Sequence, residues 1–274
     1  MSYFKDKVTL VTGGASGLGL ALCEELARRG AKVVPVDIDQ EGVQQVAADI
    51  TRAGGEALFA YMDVTLFENA QRVVHEIVNK YGRLDIIINN AGTAIQGETR
   101  DLKLRHWRNV IDVNLWGVIY GAISAYRVME KQGSGQIVNI SSLAGLIPIP
   151  KEIPYCTSKW AVAGFTSSLR VEGAVLGIKV NLVCPGIMHT PIHDKTPWVN
   201  VDKEKLIQPK VMKYFMTPDK AARKILHGVK RNKSVLIFPL YAHMVWWLYR
   251  FNPAIFQFVF KTIIRDFRKQ RIVR

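Results

Sequence analysis

A tyrosine and a lysine four residues apart, Tyr155 and Lys159, are the residues whose types and spacing most directly suggest chemistry. On an α-helix this spacing places both side chains on one face, one turn apart. A free tyrosine titrates near ~10, but a neighbouring cation favours the phenolate and lowers the pKa of the phenol. The pair therefore predicts that Tyr155 exchanges a proton with a substrate, with Lys159 lowering its pKa towards the working range.

Ser142 lies before a loop at 144–150 that is punctuated by glycine and proline. Such a loop can fold the hydroxyl of Ser142 back towards Tyr155, where it would polarise a carbonyl or bind an alcohol. Taken alone, a tyrosine and a lysine at helical spacing are usually a surface pair. The elements around these residues must therefore decide whether they form a site.

A glycine-rich segment near the start of the chain has the context of a nucleotide-binding turn. An apolar run at 7–12 leads into Gly13 to Gly19, and a helical stretch follows at 20–29. Strand, glycine turn and helix in this order are typical of dinucleotide binding, because glycines allow close backbone approach and the helix N-terminus receives the pyrophosphate. A glycine-rich turn without a ligand is the alternative.

Asp37 ends the second predicted strand, at 31–36. A carboxylate there accepts hydrogen bonds from both ribose hydroxyls and repels a 2′-phosphate. Asp39 adds a second negative charge, and no Lys or Arg lies within the glycine segment. The sequence therefore predicts NAD rather than NADP.

Strand and helix patterns alternate along the rest of the chain and predict a parallel sheet covered on both faces. Asp63, at the end of the third strand, is placed to hydrogen-bond an adenine amino group. Asn114 interrupts the longest helical region and predicts a helix irregularity or a polar task, with a solvated or internally bonded side chain as the alternative. Further strands are predicted at 57–62, 84–88, 136–140, 179–183 and 234–239, and helices at 40–53, 69–81, 107–131, 155–176 and 218–230.

Composition and charge limit the classes of function. The 274 residues, 49% of them hydrophobic and 22% charged, are sufficient for one large core. Residues 1–202 contain 20 Lys and Arg against 20 Asp and Glu, whereas 203–274 contain 17 against 3, so the whole net charge of +14 lies in the last quarter. A neutral body with a basic end argues against a nucleic-acid-binding body and indicates a local acidic surface.

The cysteines and histidines do not predict a metal site. The three cysteines lack metal-binding spacing and are typical of reduced thiols in the cytosol, and the first residues show no signal peptide. His189, His193 and Asp194 have helical ligand spacing, but Pro191 lies between the histidines.

The last 35 residues predict a segment that lies on a membrane surface without crossing it. Residues 240–260 are rich in aromatic side chains, but His243, Arg250 and the Asn252-Pro253 pair leave no run near the ~18 apolar residues of a spanning helix. Beyond Pro253 a helix would separate an apolar face from a basic face, as in an interfacial helix. The alternative is that this segment packs on a second subunit. The apolar face comprises Phe256, Val259, Phe260, Ile263, Ile264 and Phe267, and the basic face Lys261, Arg265, Arg268 and Lys269.

The order and spacing of these motifs resemble the short-chain dehydrogenase/reductase family, from Val8 to about Pro239. The matching motifs are Thr12-Gly13 with Gly17-Leu18-Gly19, Asp63, Asn89-Asn90-Ala91-Gly92, Asn114, Ser142, Tyr155 with Lys159, and Pro185-Gly186 with Thr190. The resemblance implies an α/β fold with a single Rossmann-type, doubly wound domain and a seven-stranded parallel sheet. It also implies a homodimer or homotetramer in which the helices at 116–131 and 155–176 pair with their copies.

The resemblance also implies roles for individual residues. Tyr155 would be the general acid/base, Lys159 would lower its pKa and bind the nicotinamide ribose, Ser142 would bind the reacting oxygen, and Asn114 would bind a water of a proton relay. The catalytic set is thus Asn114, Ser142, Tyr155 and Lys159. The expected cofactor-binding residues are Gly13, Ser16, Gly17, Leu18, Gly19, Asp37, Asp63, Val64, Asn90, Ala91, Gly92, Tyr155, Lys159, Pro185, Gly186, Ile187 and Thr190.

These observations together predict an NAD-dependent oxidoreductase that acts on an alcohol or carbonyl compound. Apolar loops at 143–153 and 187–215 favour a lipophilic substrate such as a steroid, retinoid or long-chain alcohol, although the same side chains would equally serve to pack a lid. An NADP-linked ketone reductase and a non-catalytic nucleotide-binding scaffold are the alternatives. The expected organisation is a domain at 1–239, with a substrate lid at about 187–216, and a basic extension at 240–274. The expected location is the cytoplasm, with peripheral contact to a membrane.

Overall fold

The computed structural model describes residues 2–188, 196–201 and 215–272. Its strands are β1 (Val8–Thr12), β2 (Lys32–Asp37), β3 (Glu56–Ala57), β4 (Ala60–Tyr61), β5 (Ile86–Asn89), β6 (Gly135–Ile140), β7 (Ile178–Pro185) and β8 (Val235–Phe238). Its α-helices are α1 (Gly17–Arg28), α2 (Gln40–Arg52), α3 (Phe67–Tyr81), α4 (Leu104–Ile111), α5 (Gly117–Gln132), α6 (Ile153–Ala174), α7 (Pro218–Lys230), α8 (Leu240–Phe251) and α9 (Ala254–Arg268).

The strands form one parallel sheet in the order β3-β2-β1-β5-β6-β7-β8, with β4 also paired to β2. The order reverses direction between β1 and β5, which is the arrangement of a doubly wound sheet. The single strand predicted at 57–62 is wrong in detail, because β3 and β4 are two short segments that pair with β2 at the same edge. The predicted fold class is confirmed.

Helices cover both faces of the sheet, and this explains why the strands are apolar at nearly every position. Side chains alternate between the two faces, so Ile86 and Ile88 of β5 pack in a layer with α1 and α7. Ile87, between them, packs in the opposite layer with α3 and α5. All three isoleucines are fully buried.

Parallel strands bring the candidate site residues to one edge. The carboxyl ends of β1, β2, β5, β6 and β7 lie at the same edge of the sheet, and the connections that follow them leave from that edge. The residues that follow these five strand ends are Gly13, Ile38, Asn90, Ser141 and Gly186.

The irregularity predicted at Asn114 is confirmed. Residues Asp112–Trp116 form a π-helical turn that joins α4 to α5. Short π-helical segments inside α-helices occur frequently at functional sites. Here the turn places Asn114 in the interior, with its side chain fully buried.

The C-terminal helices pack back onto the body of the protein. On α8, Ala242 is buried against Leu143 and Ile147 of the loop that follows β6. At the end of α9, Phe267 is buried and stacks on Trp198 at a ring-centroid distance of 6.3 Å. Within the described part of the chain, no helix is both long enough and apolar enough to cross a bilayer.

Two arginines add ion pairs to this packing. The Nε atom of Arg268 lies 2.8 Å from a carboxylate oxygen of Glu98, and Arg271 lies 2.7 Å from Asp101. Arg271 also joins Val201 in an antiparallel bridge. The end of the chain therefore contacts the loop that follows β5.

Candidate active site

The glycine turn after β1 has room for a ligand only because it lacks side chains. Gly13 has a φ of +67°, which disfavours other residues, and a Cβ there would lie 2.9 Å from the Cα of Ala91. A Cβ on Gly19 would lie 1.8 Å from the carbonyl oxygen of Gly13. Ser16 is the exposed N-cap of α1, and its side chain makes no capping hydrogen bond. The turn and the N-terminus of α1 therefore fit a pyrophosphate.

Asn90 fixes this turn against the end of β5. Its Nδ2 atom donates to the carbonyl oxygens of Thr12, at 3.0 Å, and Gly13, at 3.3 Å. The hydroxyl of Thr12 accepts in return from the backbone N–H groups of Asn90 and Ala91. The side chain of Asn90 thus holds β1 and β5 together. Gly92 lies beyond it, where a Cβ would be 3.4 Å from Oδ1 of Asn114 and 3.7 Å from Nζ of Lys159.

Asp37 is half-buried at the end of β2 and contacts the glycine turn. Its carboxylate accepts from the backbone N–H of Ala15 at 3.3 Å and from that of Asp39 at 3.2 Å. Asp63 lies further along the same edge, where it accepts from the backbone N–H and hydroxyl of Thr65. Val64 beside it is buried. The two carboxylates are therefore positioned by local hydrogen bonds at the ends of neighbouring strands.

Tyr155 lies in the first turn of α6, and Ser142 faces it. Ser142 caps a 3₁₀ turn, Leu143–Gly145, by accepting from the backbone N–H of Ala144. Burial raises the pKa of Tyr155, and a hydrogen bond with Ser142 only partly lowers it again. The lowered pKa that the sequence predicts is wrong for the protein without ligand.

The position of Lys159 explains this difference. Its Nζ atom donates to the carbonyl oxygen of Ile140 at 3.0 Å and lies 5.6 Å from the centre of the Tyr155 ring. The lysine is only 3% exposed, and burial lowers its pKa to about 8. Desolvation therefore disfavours the charged form of both side chains and outweighs their attraction.

Asn114 connects the π-helical turn to the tyrosine. Its amide accepts from the backbone N–H of Thr93 and donates to the carbonyl oxygen of Thr93, both at 2.8 Å. It also donates to the hydroxyl of Ser158 at 3.1 Å, and that hydroxyl donates to the carbonyl oxygen of Tyr155. The side chain of Asn114 is thus internally bonded.

The segment after β7 is fixed by a residue of the C-terminal extension. The hydroxyl of Tyr241 on α8 accepts from the backbone N–H of Ile187 at 2.8 Å. Gly186 leaves room for this contact, since a Cβ there would lie 2.6 Å from the same hydroxyl. Pro185 is the last residue of β7. Thr190, His189, His193 and Asp194 lie outside the described residues.

Sequence reasoning missed three side chains beside the site: Tyr241, Glu152 and Gln96. Glu152 precedes Tyr155 by three residues, a spacing that itself signals a shared helix face. Gln96 donates to Glu152 at 2.8 Å, and it has no comparable signal in the sequence. Tyr241 was assigned to an extension without a role in the site, and only its tertiary contact reveals one.

The family model for short chain dehydrogenases matches residues 7–198. The chain belongs to this family. Short-chain dehydrogenases are oxidoreductases that bind a nicotinamide cofactor, and the glycine turn and the serine, tyrosine and lysine described above occupy the matched segment.

Two relatives in this family cover most of the chain. A cyclopentanol dehydrogenase from Comamonas testosteroni is 35% identical over 85% of this chain and 94% of its own length. A 2,5-dichloro-2,5-cyclohexadiene-1,4-diol dehydrogenase from Sphingobium indicum is 37% identical over 70% of this chain and 76% of its own.

A solved structure shares the fold. A short-chain dehydrogenase/reductase from Burkholderia phymatum, crystallised in complex with NAD, superposes with a TM-score of 0.82 at 22% identity. The match covers 93% of this chain and 96% of the Burkholderia chain. The whole sheet and its covering helices are therefore typical of the family.

Proposed function

We propose that this short-chain dehydrogenase transfers a hydride between NAD(H) and the carbon of an alcohol or carbonyl group. The observation that carries the proposal is the convergence of Ser142, Tyr155 and Lys159 beside the glycine turn, at one edge of the sheet. The nicotinamide ring, when bound, accepts or supplies the hydride. NADH formed from alcohols, or consumed by ketones, and measured by absorbance, tests the proposal.

Each side chain has a distinct task in this proposal. Tyr155 takes the proton of the alcohol during oxidation and returns it to the carbonyl oxygen during reduction. Ser142 hydrogen-bonds to the same substrate oxygen and orients it. The ammonium of Lys159 favours the phenolate of Tyr155 and binds a ribose hydroxyl. Asn114 positions the first turn of α6 through Ser158, and its backbone carries the water of a proton relay.

The proposed cofactor contacts follow the edge of the sheet. Asp37 would bind the adenosine ribose, Asp63 and Val64 the adenine, and the residues from Pro185 to Thr190 the nicotinamide amide. The remaining contacts come from the glycine turn and from the segment after β5, through Gly13, Ser16, Gly17, Leu18, Gly19, Asn90, Ala91 and Gly92.

Asp37 is proposed to select NAD over NADP. The carboxylate is already oriented by Ala15 and Asp39, and it would lie where a 2′-phosphate carries its charge. Repulsion between two such charges in a partly solvated site amounts to roughly 1–4 kcal/mol. That energy corresponds to about a tenfold to thousandfold preference.

Replacing Asp37 by serine and exposed Ile38 by arginine is expected to shift the ratio of kcat/KM values by about 100-fold or more towards NADP. The change removes the repelling carboxylate and supplies a cation for the 2′-phosphate. Steady-state kinetics with both cofactors measures the ratio. Glu41→Ser, which removes an exposed carboxylate one turn further along, is the matched control and should keep the preference. Equal use of NAD and NADP by the unaltered protein would sink the assignment.

A lipophilic substrate is supported by the surroundings of Tyr155. The loop after β6 is apolar, although Leu143 and Ile147 point into the packing against α8. The names of two relatives also specify cyclic alcohols of low polarity. Among the lipophilic classes considered, which include steroids, retinoids and long-chain alcohols, an alicyclic secondary alcohol fits these observations best.

We further propose that the C-terminal extension binds the surface of an anionic membrane, with the protein otherwise in the cytoplasm. Part of the apolar face predicted for α9 packs inward, because Phe256 and Tyr249 of α8 are in contact and Phe267 is buried. A second set of apolar side chains, from α8 and α9, is exposed instead. It consists of Leu240, Met244, Trp247, Leu248, Phe251, Ile255, Phe258, Val259 and Ile263.

The composition of this exposed set favours a bilayer over water. Phe251 is 88% exposed and Phe258 is 77% exposed, and such clustered aromatic side chains insert at the headgroup boundary. The exposed cations Arg250, Lys261 and Arg265 lie on the same two helices and suit anionic lipid. A homodimer or homotetramer, proposed to form through α5 and α6, leaves these helices available, since exposed Trp116 and Trp160 mark the other surface.

Replacing Leu240, Phe251 and Phe258 together by serine is expected to abolish co-sedimentation with anionic liposomes, which the unaltered chain should show and high salt should partly release. These side chains are exposed, so the fold should persist, whereas deletion after Pro239 would remove the buried Ala242. Leu104→Ser, at an equally exposed leucine on α4, is the control. If the unaltered chain stays in the supernatant and elutes as a discrete oligomer, the extension is instead a subunit contact.

A further inference from the structure

Glu152 lies beside Tyr155 but takes no part in the proton transfer described above. It immediately precedes α6, and its spacing of three residues from Tyr155 places both side chains on one face. After burial and the opposing bond from Ser142, the charge of Glu152 adds to the raised pKa of Tyr155. The carboxylate is therefore close enough to the phenol to contact a substrate that reaches it.

Gln96 extends this polar group with an acceptor that has no partner. The residue is 9% exposed, and its Nε2 atom donates to Glu152 at 2.8 Å. Its Oε1 atom is buried and finds no hydrogen bond in the part of the chain that the structure describes. A buried polar atom without a partner costs free energy, which a ligand with a hydrogen-bond donor would recover.

The backbone around Gln96 makes this arrangement rigid. Its N–H donates to the carbonyl oxygen of Pro197 at 3.0 Å, and its carbonyl oxygen accepts from the N–H of Val199 at 2.8 Å. The next residue, Gly97, donates to the carbonyl oxygen of Lys151. Because the segment is bonded on both sides, the amide of Gln96 is held in place for recognition.

We propose that Glu152 and Gln96 form a subsite that accepts hydrogen bonds from a substrate hydroxyl other than the one on the reacting carbon. This inference rests on the proposed function and deepens it. The substrate class becomes lipophilic alcohols with a second hydroxyl group, that is, diols and the corresponding hydroxyketones.

A neutral hydroxyl suits this subsite better than a cation. The ammonium of Lys151 already lies near Glu152, 4.7 Å from the centre of the Trp198 ring, and supplies positive charge there. Burial also raises the pKa of Glu152, so its environment disfavours full charge. A second ammonium would be repelled by Lys151, whereas a hydroxyl donates without adding charge.

Oxidation of 1,4-cyclohexanediol and of cyclohexanol by the full chain with NAD tests the subsite. We expect a kcat/KM at least about tenfold higher for the diol. Gln96→Leu should reduce this preference about 10- to 100-fold, mainly through KM, because it removes the unpaired acceptor. Glu152→Gln, which keeps an acceptor, should retain more of the preference than Glu152→Ala. Glu130→Ala, at an exposed carboxylate near the opposite end of the sheet, is the control.

Three results would overturn the subsite. They are equal kcat/KM values for diol and cyclohexanol in the unaltered protein, equal losses on both alcohols in Gln96→Leu, and a preference for 4-aminocyclohexanol over the diol. If neither alcohol is oxidised, the proposed reaction fails for this class, and the melting temperature of the NADH complex decides the subsite separately. A rise with the diol that Gln96→Leu abolishes supports it, and no rise contradicts it.

Discussion

Tyr155→Phe is expected to reduce turnover by about 10² to 10⁴-fold while NADH still binds. The substitution removes only the hydroxyl that would exchange a proton with the substrate. Ser142 cannot take over, because an aliphatic hydroxyl does not titrate in the working range. The ring remains and keeps its place beside Lys159, so the cofactor site should be unchanged. Steady-state kinetics and quenching of tryptophan fluorescence by NADH measure the two effects.

The pH dependence provides the matching evidence. Because burial raises the pKa of Tyr155, alcohol oxidation by the unaltered protein should accelerate as the pH rises, and ketone reduction should be favoured at lower pH. The residual rate of Tyr155→Phe should lack this dependence. Tyr126→Phe, which removes a partly buried hydroxyl on α5, should behave as the unaltered protein. Retention of more than a tenth of the activity by Tyr155→Phe would refute the assignment.

Lys159→Met is expected to lose activity by orders of magnitude and also to bind NADH more weakly, since the ammonium would act on both the phenol and the ribose. Thioether and ammonium side chains are of similar length, so the packing around Ile140 should persist. Kinetics and NADH titration measure both losses. Unimpaired NADH binding would mean that Lys159 does not contact the ribose.

The same variant should be no less stable than the unaltered protein at pH 7. Burial lowers the pKa of Lys159 to about 8 from an ordinary value of 10.5, and this difference corresponds to about 3 kcal/mol of destabilisation while the lysine is protonated. The cost is present below pH 8 and is relieved as the pH rises from 8 towards 10.5. The lost bond to Ile140 offsets part of the gain. A marked loss of stability in urea unfolding would assign Lys159 a structural role.

Much of the fold could be predicted because local patterns and tertiary structure agree. The runs at β1, β5 and β7 are apolar at almost every position, and only a sheet covered on both faces requires that. Asn114 was a correct signal of an irregular helix, because its propensity conflicts with the helix around it. Glycines at 13 and 19 could be read in the same way, since their spacing in a strand-turn-helix context has few alternative explanations.

The remaining features depend on contacts between distant parts of the chain. The raised pKa of Tyr155 follows from burial, which the spacing of Tyr155 and Lys159 does not encode. The division of apolar side chains on α9 into packed and exposed sets depends on Trp198 and Tyr249, which lie far from it in sequence or on another helix. The contact of Tyr241 with Ile187 likewise arises only when α8 returns to the end of β7.

Formation of NADH or NADPH across a panel of alcohols tests the central claim most directly. The panel should contain cyclic, steroid, retinoid and long-chain alcohols together with small hydrophilic ones, each assayed with NAD and NADP and with Tyr155→Phe as the control. We expect NADH from lipophilic alcohols, a kcat/KM about 100-fold lower with NADP, and almost no product from the variant. Absence of product from every alcohol and ketone, or equal activity of Tyr155→Phe, would contradict the proposed reaction.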